Sequence, residues 1–373
     1  MEGMVIESFW TNKRVFVTGH TGFKGTWLIQ FLSSLGAKVG GYALAPTTSP
    51  SFYEQVDVRS IESTFADIRD YETLRAKIAD FQPEIILHMA AQPLVIDGYS
   101  NPLETYEVNT MGTVNLLEAA RPCSSVRSII IITTDKCYKN VADNRRAFVE
   151  TDRLGGADPY SSSKACCELV TESYYESFFK NQNIGVATAR AGNVIGGGDW
   201  ASYRLIPDLI RSIETKTQAN IRYPKAVRPW QHVLDALSGY LVLAQELHQS
   251  PQKFSGAWNF GPSLDVTATV EDVITLMNNN FRKLKKDLTQ ISISIPSNQT
   301  KYTESNFLML DSSKAQEHLK WQPRWDLQSS LEKVVQWYDA YLNKSCLNKI
   351  TMEQIREHRI GPYENLAEIS SAA

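Results

Sequence analysis

The chain has 373 residues, 43% hydrophobic and 21% charged, a balance that supports two or three folded domains and excludes disorder, fibres and disulfide-stapled mini-scaffolds. Lys plus Arg number 38 against 41 for Asp plus Glu, a net charge of −3, so no basic field attracts a polyanion and nucleic acid is not expected as a partner. The five cysteines, Cys123, Cys137, Cys166, Cys167 and Cys346, show neither CxxC nor zinc-ligand spacing and read as reduced thiols of a cytoplasmic protein without a metal. The opening MEGMVIESFW carries two acids and no apolar h-region, and no apolar run reaches the roughly 20 residues of a bilayer span. Neither a signal peptide nor membrane contact is therefore expected.

In chain order, a β-rich run at 14–18 (RVFVT) is broken by glycines 19–25 and followed by helical spacing over 26–35. A second strand is expected at 37–44, and further strands at 63–67, 84–90, 127–133 and 184–190. Helices are expected at about 70–80, 104–121 and 160–180. Strands alternating with helices imply βαβ units: a doubly wound, parallel α/β sheet of Rossmann type with ligands at the carboxyl ends of its strands. After about 191 the pattern becomes irregular, and WNF at 258–260 is expected to return to the main sheet.

The segment Thr18-Gly19-His20-Thr21-Gly22-Phe23-Lys24-Gly25 lies between the opening strand and its helix, the place of a phosphate-binding turn. Glycines 19, 22 and 25 permit close backbone approach, and a helix N-terminus offers free N–H groups to a pyrophosphate. His20 and Lys24 add possible donors to the phosphates, although Lys24 also reads as a solvated surface residue. The spacing is GxxGxxG, and the second strand ends in Tyr42-Ala43-Leu44-Ala45 with neither the acid expected for NAD nor an Arg for NADP. Asp67, at the end of the third strand, reads equally as an acceptor for the adenine amine or as a turn cap. These features divide the chain into a dinucleotide-binding domain over 11–190 with return segments near 229–262, a smaller interleaved α/β substrate domain over 191–345, and a loosely ordered tail over 346–373.

Tyr160 and Lys164 stand one helical turn apart on one face, and of the 16 tyrosines only Tyr160 has a Lys four residues on. An ammonium near a phenol stabilises the phenolate and makes Tyr a usable base near neutrality. About one such pairing arises by chance, so its weight comes from company: the glycine loop and a strand ending in Thr133-Thr134. At that strand end Thr134 can bond a substrate oxygen, and Asp135 and Lys136 offer an acid and a base.

The glycine loop, HMAAQP at 88–93, NPLETYEVNTMGTVNLLEA at 101–119 and the Tyr/Lys pair resemble the extended short-chain dehydrogenase/reductase superfamily. Within it, GHTGFKG, TTDKCY at 133–138, RAGNVIGGGDW at 190–200 and RPWQHVLDALSGY at 228–240 resemble the CDP-glucose 4,6-dehydratase family, over about 11–340. The resemblance implies a retained NAD, CDP-glucose as substrate, and a homodimer, or a tetramer, paired through helices 104–121 and 160–180. It implies cofactor contacts from Gly19, His20, Thr21, Gly22, Phe23, Lys24, Gly25, Asp67, Ile68, Ala90, Ala91, Gln92, Asn109, Thr133, Tyr160 and Lys164. Substrate contacts are implied for Gln92, Thr134, Asn193, Arg204, Arg228 and His232. Tyr160, assisted by Thr134 and Lys164, would deprotonate the sugar 4-hydroxyl as hydride leaves C4. Asp135 and Lys136 would then serve water loss across C5–C6 before hydride returns to C6. In related dTDP-glucose and GDP-mannose dehydratases the position of Lys136 resembles a Glu, which leaves the C5 base open. A nucleotide-sugar 4-epimerase, a dehydratase for another nucleotide hexose and a non-catalytic NAD-binding regulator are the competing readings.

Overall fold

A computed structural model describes residues 3–140, 145–265, 267–284, 291, 293–294 and 307–360. Seven strands form its central sheet: β1 (Arg14–Thr18), β2 (Lys38–Ala43), β3 (Glu62–Phe65), β4 (Ile85–His88), β5 (Ser128–Ile132), β6 (Gly185–Ala191) and β7 (Gly256–Phe260). Their order is β7-β6-β5-β4-β1-β2-β3, and every neighbouring pair is parallel. A parallel sheet covered on both faces needs apolar residues on both, and the fully buried SIIII of β5 meets that need. Ile130 and Ile132 join the core on one face, with Trp27, Leu237 and Trp337. Ile129 and Ile131 join the core on the other, with Leu74, Ile78 and Leu117.

The helices supplying those faces are α1 (Phe23–Ser34), α2 (Tyr71–Phe81), α3 (Gly112–Ala120), α4 (Pro159–Tyr174), α5 (Leu205–Thr215), α6 (Val233–Gln249), α7 (Val270–Leu284), α8 (Leu327–Leu342) and α9 (Leu347–Ile360). A short helix, Pro102–Tyr106, and a π turn, Glu107–Met111, lead straight into α3, and a second π turn, Tyr175–Phe179, continues α4. Together they cover the helices expected at 104–121 and 160–180.

Two boundaries differ from the sequence reading. The first helix starts at Phe23, so Gly25 belongs to its first turn instead of to a break. A Cβ on Gly25 would lie 2.1 Å from the Gly19 carbonyl oxygen, which is why the turn carries glycine there. The segment after 346, expected as a loose tail, forms α9, which buries Thr351, Gln354, Ile355 and His358; 361–373 lie outside the described residues. Its anchor is a buried pair, His358 Nε2 to Asp235 Oδ1 on α6 at 2.9 Å.

Strand order reverses direction between β1 and β4, so the loops leaving their carboxyl ends diverge and open a crevice. That crevice holds the candidate site.

Candidate active site

A cavity of about 590 Å³ runs along the carboxyl ends of β1 to β6. Its wall takes Gly19 to Gly25 except His20 from the first loop, Ala66 to Arg69 after β3, Met89 to Ala91 after β4, and Ile132 to Lys136 after β5. Tyr160 and Lys164 enter from α4, and Asn193, Asp199, Arg204, Arg222 and Arg228 from the segments after β6.

The dinucleotide end is shaped by backbone. Gly19 sits at φ +75°, and a Cβ there would come within 2.7 Å of the Ala90 nitrogen, so the first turn packs directly on the loop after β4. Gly22 has no such crowding: a Cβ there would meet only the Gly19 carbonyl oxygen, at 3.5 Å, and the residue borders the cavity. Gly22 is also the N-cap of α1, with no side chain capping the first-turn N–H groups. Uncapped donors facing a cavity fit a pyrophosphate. Thr21 turns its hydroxyl to the Leu44 carbonyl at 2.9 Å. Asp67 and Ile68 border the same end; Asp67 is held by Arg69, with Nη2 to Oδ2 at 2.6 Å, and that pairing lowers its pKa. The turn-cap reading of Asp67 has a structural counterpart, since its carboxylate also accepts from the Arg69 N–H.

At the chemical end, five of the sequence candidates come together. Thr134 donates its hydroxyl to Asp135 Oδ1 at 3.0 Å and accepts from the Lys136 N–H at 3.3 Å. Asp135 is only 2% exposed; burial raises its pKa, against the opposing pull of Lys136, Thr134 and Arg228. Its Oδ2 has no hydrogen-bond partner. Tyr160, on the first turn of α4, is pushed up to about 12 by burial, an effect moderated by a hydrogen bond with Thr134 and by the Arg204 charge. The Lys164 ammonium donates to the Ile132 carbonyl at 3.2 Å, tying α4 to the end of β5, and burial lowers its pKa. Lys164 thus reaches the expected place, but its hydrogen bond here is to the strand and not to the phenol. Lys24 faces the same end: burial, with the charges of Lys164 and Arg204, pushes it down to about 7.

Four candidates are not in the cavity wall. His20, expected as a phosphate donor, is fully buried, with Nε2 3.0 Å from the Ser63 hydroxyl and its ring seated over Gly41; burial pushes it down to about 4. His232, expected at the substrate, is sealed between Trp27 and Trp325, accepts from the Leu234 N–H at 3.2 Å as the cap of α6, and is held well below its usual pKa by burial. Gln92 and Asn109 stand behind the wall and bond each other: the Gln92 N–H donates to Asn109 Oδ1 at 2.8 Å, and Asn109 Nδ2 donates to the Ser163 hydroxyl at 2.9 Å. They fix the loop after β4 to the Tyr160 helix. For His20, His232 and Asn109 burial with a partner won over exposure to the cavity, and the half-buried Gln92 side chain is claimed by Thr105 and the Leu94 N–H; sequence spacing cannot distinguish these outcomes.

Sequence reasoning missed Asp199, which pairs with Arg204 at 3.1 Å and is braced by the Tyr338 hydroxyl on its carbonyl at 2.7 Å. Its signal was the acid inside GGGDW, five residues before Arg204. It also missed Glu168 and Arg190, a buried pair at 2.7 Å behind the Tyr160 helix. Among the described residues no group of three His, Cys, Asp or Glu could hold a metal ion, and no helix is long and apolar enough to cross a membrane.

The sequence model of GDP-mannose 4,6 dehydratase matches residues 16–334. CDP-glucose 4,6-dehydratase of Salmonella typhimurium is 47% identical over 348 residues, covering 91% of this chain and 94% of that one. dTDP-glucose 4,6-dehydratase of Shigella flexneri is 24% identical, over 88% and 94%. Among solved structures, dTDP-glucose 4,6-dehydratase of Bacillus anthracis in complex with NAD superposes with a TM-score of 0.72 at 22% identity, covering 89% and 98% of the two chains. UDP-glucose 4-epimerase of Thermotoga maritima superposes with a TM-score of 0.74 at 20%, covering 88% and 99%. These two likenesses establish the fold, and the sequence matches establish more: the chain belongs to the GDP-mannose 4,6 dehydratase family, as a lyase of the CDP-glucose 4,6-dehydratase type on a Rossmann fold.

Proposed function

We propose that this protein dehydrates CDP-glucose to CDP-4-keto-6-deoxyglucose with NAD as a resident cofactor. The observation that carries the reading is the convergence of Thr134, Asp135, Lys136, Tyr160 and Lys164 on one end of a cavity whose other end is the glycine loop. The 47% identity to a CDP-glucose 4,6-dehydratase supports the nucleotide.

The uncapped start of α1, Gly19, Gly22, Ile68, Ala90 and Ala91 would hold NAD, which supplies a reversible hydride acceptor when bound. Tyr160 takes the proton of the sugar 4-hydroxyl, with Thr134 bonded to the same oxygen and Lys164 steadying the phenolate. The ketone that results at C4 acidifies C5–H. Lys136 then takes the C5 proton, and Asp135, kept protonated to higher pH by its burial, gives its proton to the departing C6 hydroxyl, which leaves as water; hydride return to C6 and return of the proton from Lys136 to C5 complete the 6-deoxy product with no net oxidation. Asn193, Arg204 and Arg228 meet the nucleotide diphosphate, for which the planar guanidinium is well suited.

The same reading includes a cytoplasmic homodimer paired through two helices of each copy. Leu103 at 72% exposed and Met111 at 50% lie on the run into α3, and Leu169 at 56% lies on α4, an apolar surface that a second copy would cover. A tetramer or a monomer by sedimentation would overturn the dimer.

The test offers CDP-, dTDP-, GDP- and UDP-glucose and identifies products by mass and NMR. Loss of one water and a 4-ketone from the CDP sugar is expected. A product of unchanged mass with an inverted 4-hydroxyl would make the protein an epimerase, and cofactor binding without turnover of any sugar would make it a regulator. Tyr160→Phe, which removes only the hydroxyl, is expected to slow turnover by about 10²-fold or more; an unchanged rate would leave the Tyr/Lys pair a chance match.

A further inference from the structure

Helix α4 carries more than Tyr160 and Lys164. Four residues after Lys164, on the same face, stands Glu168, 4% exposed. Its Oε1 accepts the Thr133 hydroxyl, and its Oε2 accepts the Thr188 hydroxyl at 2.6 Å and Arg190 Nη2 at 2.7 Å. Arg190 is 3% exposed, and its other arm donates to the Tyr138 hydroxyl at 2.7 Å and the Glu150 carbonyl at 3.0 Å. Tyr138 donates its own hydroxyl hydrogen bond to Asn259 Oδ1 at 2.7 Å, on β7. One buried carboxylate thus links α4 to the ends of β5 and β6 and, through Arg190 and Tyr138, to β7. Thr133 immediately precedes Thr134, and Tyr138 lies two residues beyond Lys136, so every segment bearing a proposed reacting group touches this network.

A buried ion pair is a poor way to gain stability, because desolvating both charges offsets most of their attraction. Here both carboxylate oxygens of Glu168 and both terminal nitrogens of Arg190 are hydrogen-bonded, only Arg190 Nε lacking a partner, and the pair stands directly behind the reacting helix, an arrangement better suited to fixing geometry and field than to adding stability. We propose that Glu168 is a positioning residue for the Tyr160/Lys164 pair: its clamped carboxylate sets the height of α4 against β5 and supplies the negative charge that faces the Lys164 ammonium. The inference rests on the roles proposed above for Tyr160 and Lys164.

The charged and titratable groups facing Lys164 come from several elements. Cys167 and Glu168 stand on its own helix and Cys137 beyond β5; these three favour its charged form. His88 at the end of β4 and Lys24 from the glycine loop are both lowered by burial first and by the Lys164 charge second. Glu168 is the carboxylate within this set. Removing its charge therefore deprotonates Lys164 at lower pH and withdraws support from the Tyr160 phenolate on the alkaline side.

The experiment measures kcat and KM for the sugar substrate across pH for Glu168→Gln, Glu168→Asp and Thr188→Val in the full-length holoenzyme. Glu168→Gln is expected to lower kcat about tenfold with KM little changed, and to move the alkaline limb of kcat down by about one pH unit, the low end for loss of an opposite charge near a titrating group. Glu168→Asp, which restores the charge, is expected to return the limb. Thr188→Val, which removes one hydrogen bond and no charge, is expected to lower Tm and leave the limb in place. If Glu168→Gln does not fold, Glu168→Gln/Arg190→Gln leaves no buried charge unpaired and is expected to show the same limb shift. A kcat profile of unchanged shape in either Gln variant overturns the inference. If Tyr160→Phe retains full activity, it is the underlying reading that fails; if Tyr160→Phe is inactive and the Glu168 profile is unmoved, only the positioning role fails.

Discussion

Replacing Asp135 by Asn separates the two halves of the proposed reaction. The amide keeps the shape of the carboxyl group and can still accept the Thr134 hydroxyl at the Oδ1 position, now 3.0 Å away, so the loop geometry survives. What it removes is the proton for the C6 hydroxyl. Loss of a positioned general acid costs about 10²–10⁴-fold, or roughly 3–5 kcal/mol of barrier at 1.36 kcal/mol per decade. Deprotonation of the 4-hydroxyl and oxidation at C4 precede that step and should continue. The assay mixes holoenzyme with CDP-glucose in a single turnover, following reduced nicotinamide by absorbance and dehydrated product by mass. Reduced cofactor is expected to accumulate while product falls by the stated factor. Stability should move the other way. Burial raises the Asp135 pKa, so between the ordinary carboxylate range and the raised value the folded protein holds a proton that the unfolded chain has lost. Stability therefore declines as pH rises through that window, because ionising the buried carboxyl costs more in the folded state than in the unfolded chain. Asp135→Asn removes this cost, and its Tm should exceed that of the parent at pH 7, with the gap closing toward about pH 4. Product formation within a few-fold of the parent rate would refute the acid role, and a lowered Tm at pH 7 would refute the electrostatic reasoning.

Lys136→Met should still reduce bound NAD on addition of substrate while losing deuterium uptake at C5 in heavy water; exchange at the parent rate would reduce Lys136 to an ion-pair partner of Asp135. Gly25→Ala should abolish cofactor retention and destabilise the fold, since its Cβ would stand 2.1 Å from the Gly19 carbonyl oxygen; a variant that purifies with NAD and an unchanged Tm would refute this. His20 is pushed down to about 4 by burial, so the folded state binds fewer protons than the unfolded chain between about 6.5 and 4 and stability falls as pH drops through that range. His20→Gln should flatten the acid limb of Tm against pH, and an unaltered slope would show that His20 does not contribute.

The sequence by itself determined the sheet, because short apolar runs such as SIIII at 128–132 alternate with helical spacing, and a parallel strand buried on both faces must be apolar along its whole length. It determined the position of the phosphate turn too, since glycines 19, 22 and 25 stand between the opening strand and its helix. The pairing of Tyr160 with Lys164 was legible because the helical repeat puts both on one face whatever the rest of the chain does. Which way a polar side chain turns was decided by tertiary structure alone. His20 and Lys24 flank the same glycine loop, yet His20 packs over Gly41 toward Ser63 while Lys24 faces the cavity beside Lys164 and Arg204. His232 and Arg228 lie four residues apart, and only Arg228 borders the site, because Trp27 and Trp325 enclose the imidazole. The Glu168–Arg190 pair joins residues 22 apart through the packing of α4 on β6, a contact that exists only once the crossover is made. Spacing along one element is local physics and can be read from a sequence; the partners that claim a buried donor or acceptor come from other elements, and the fold assigns them.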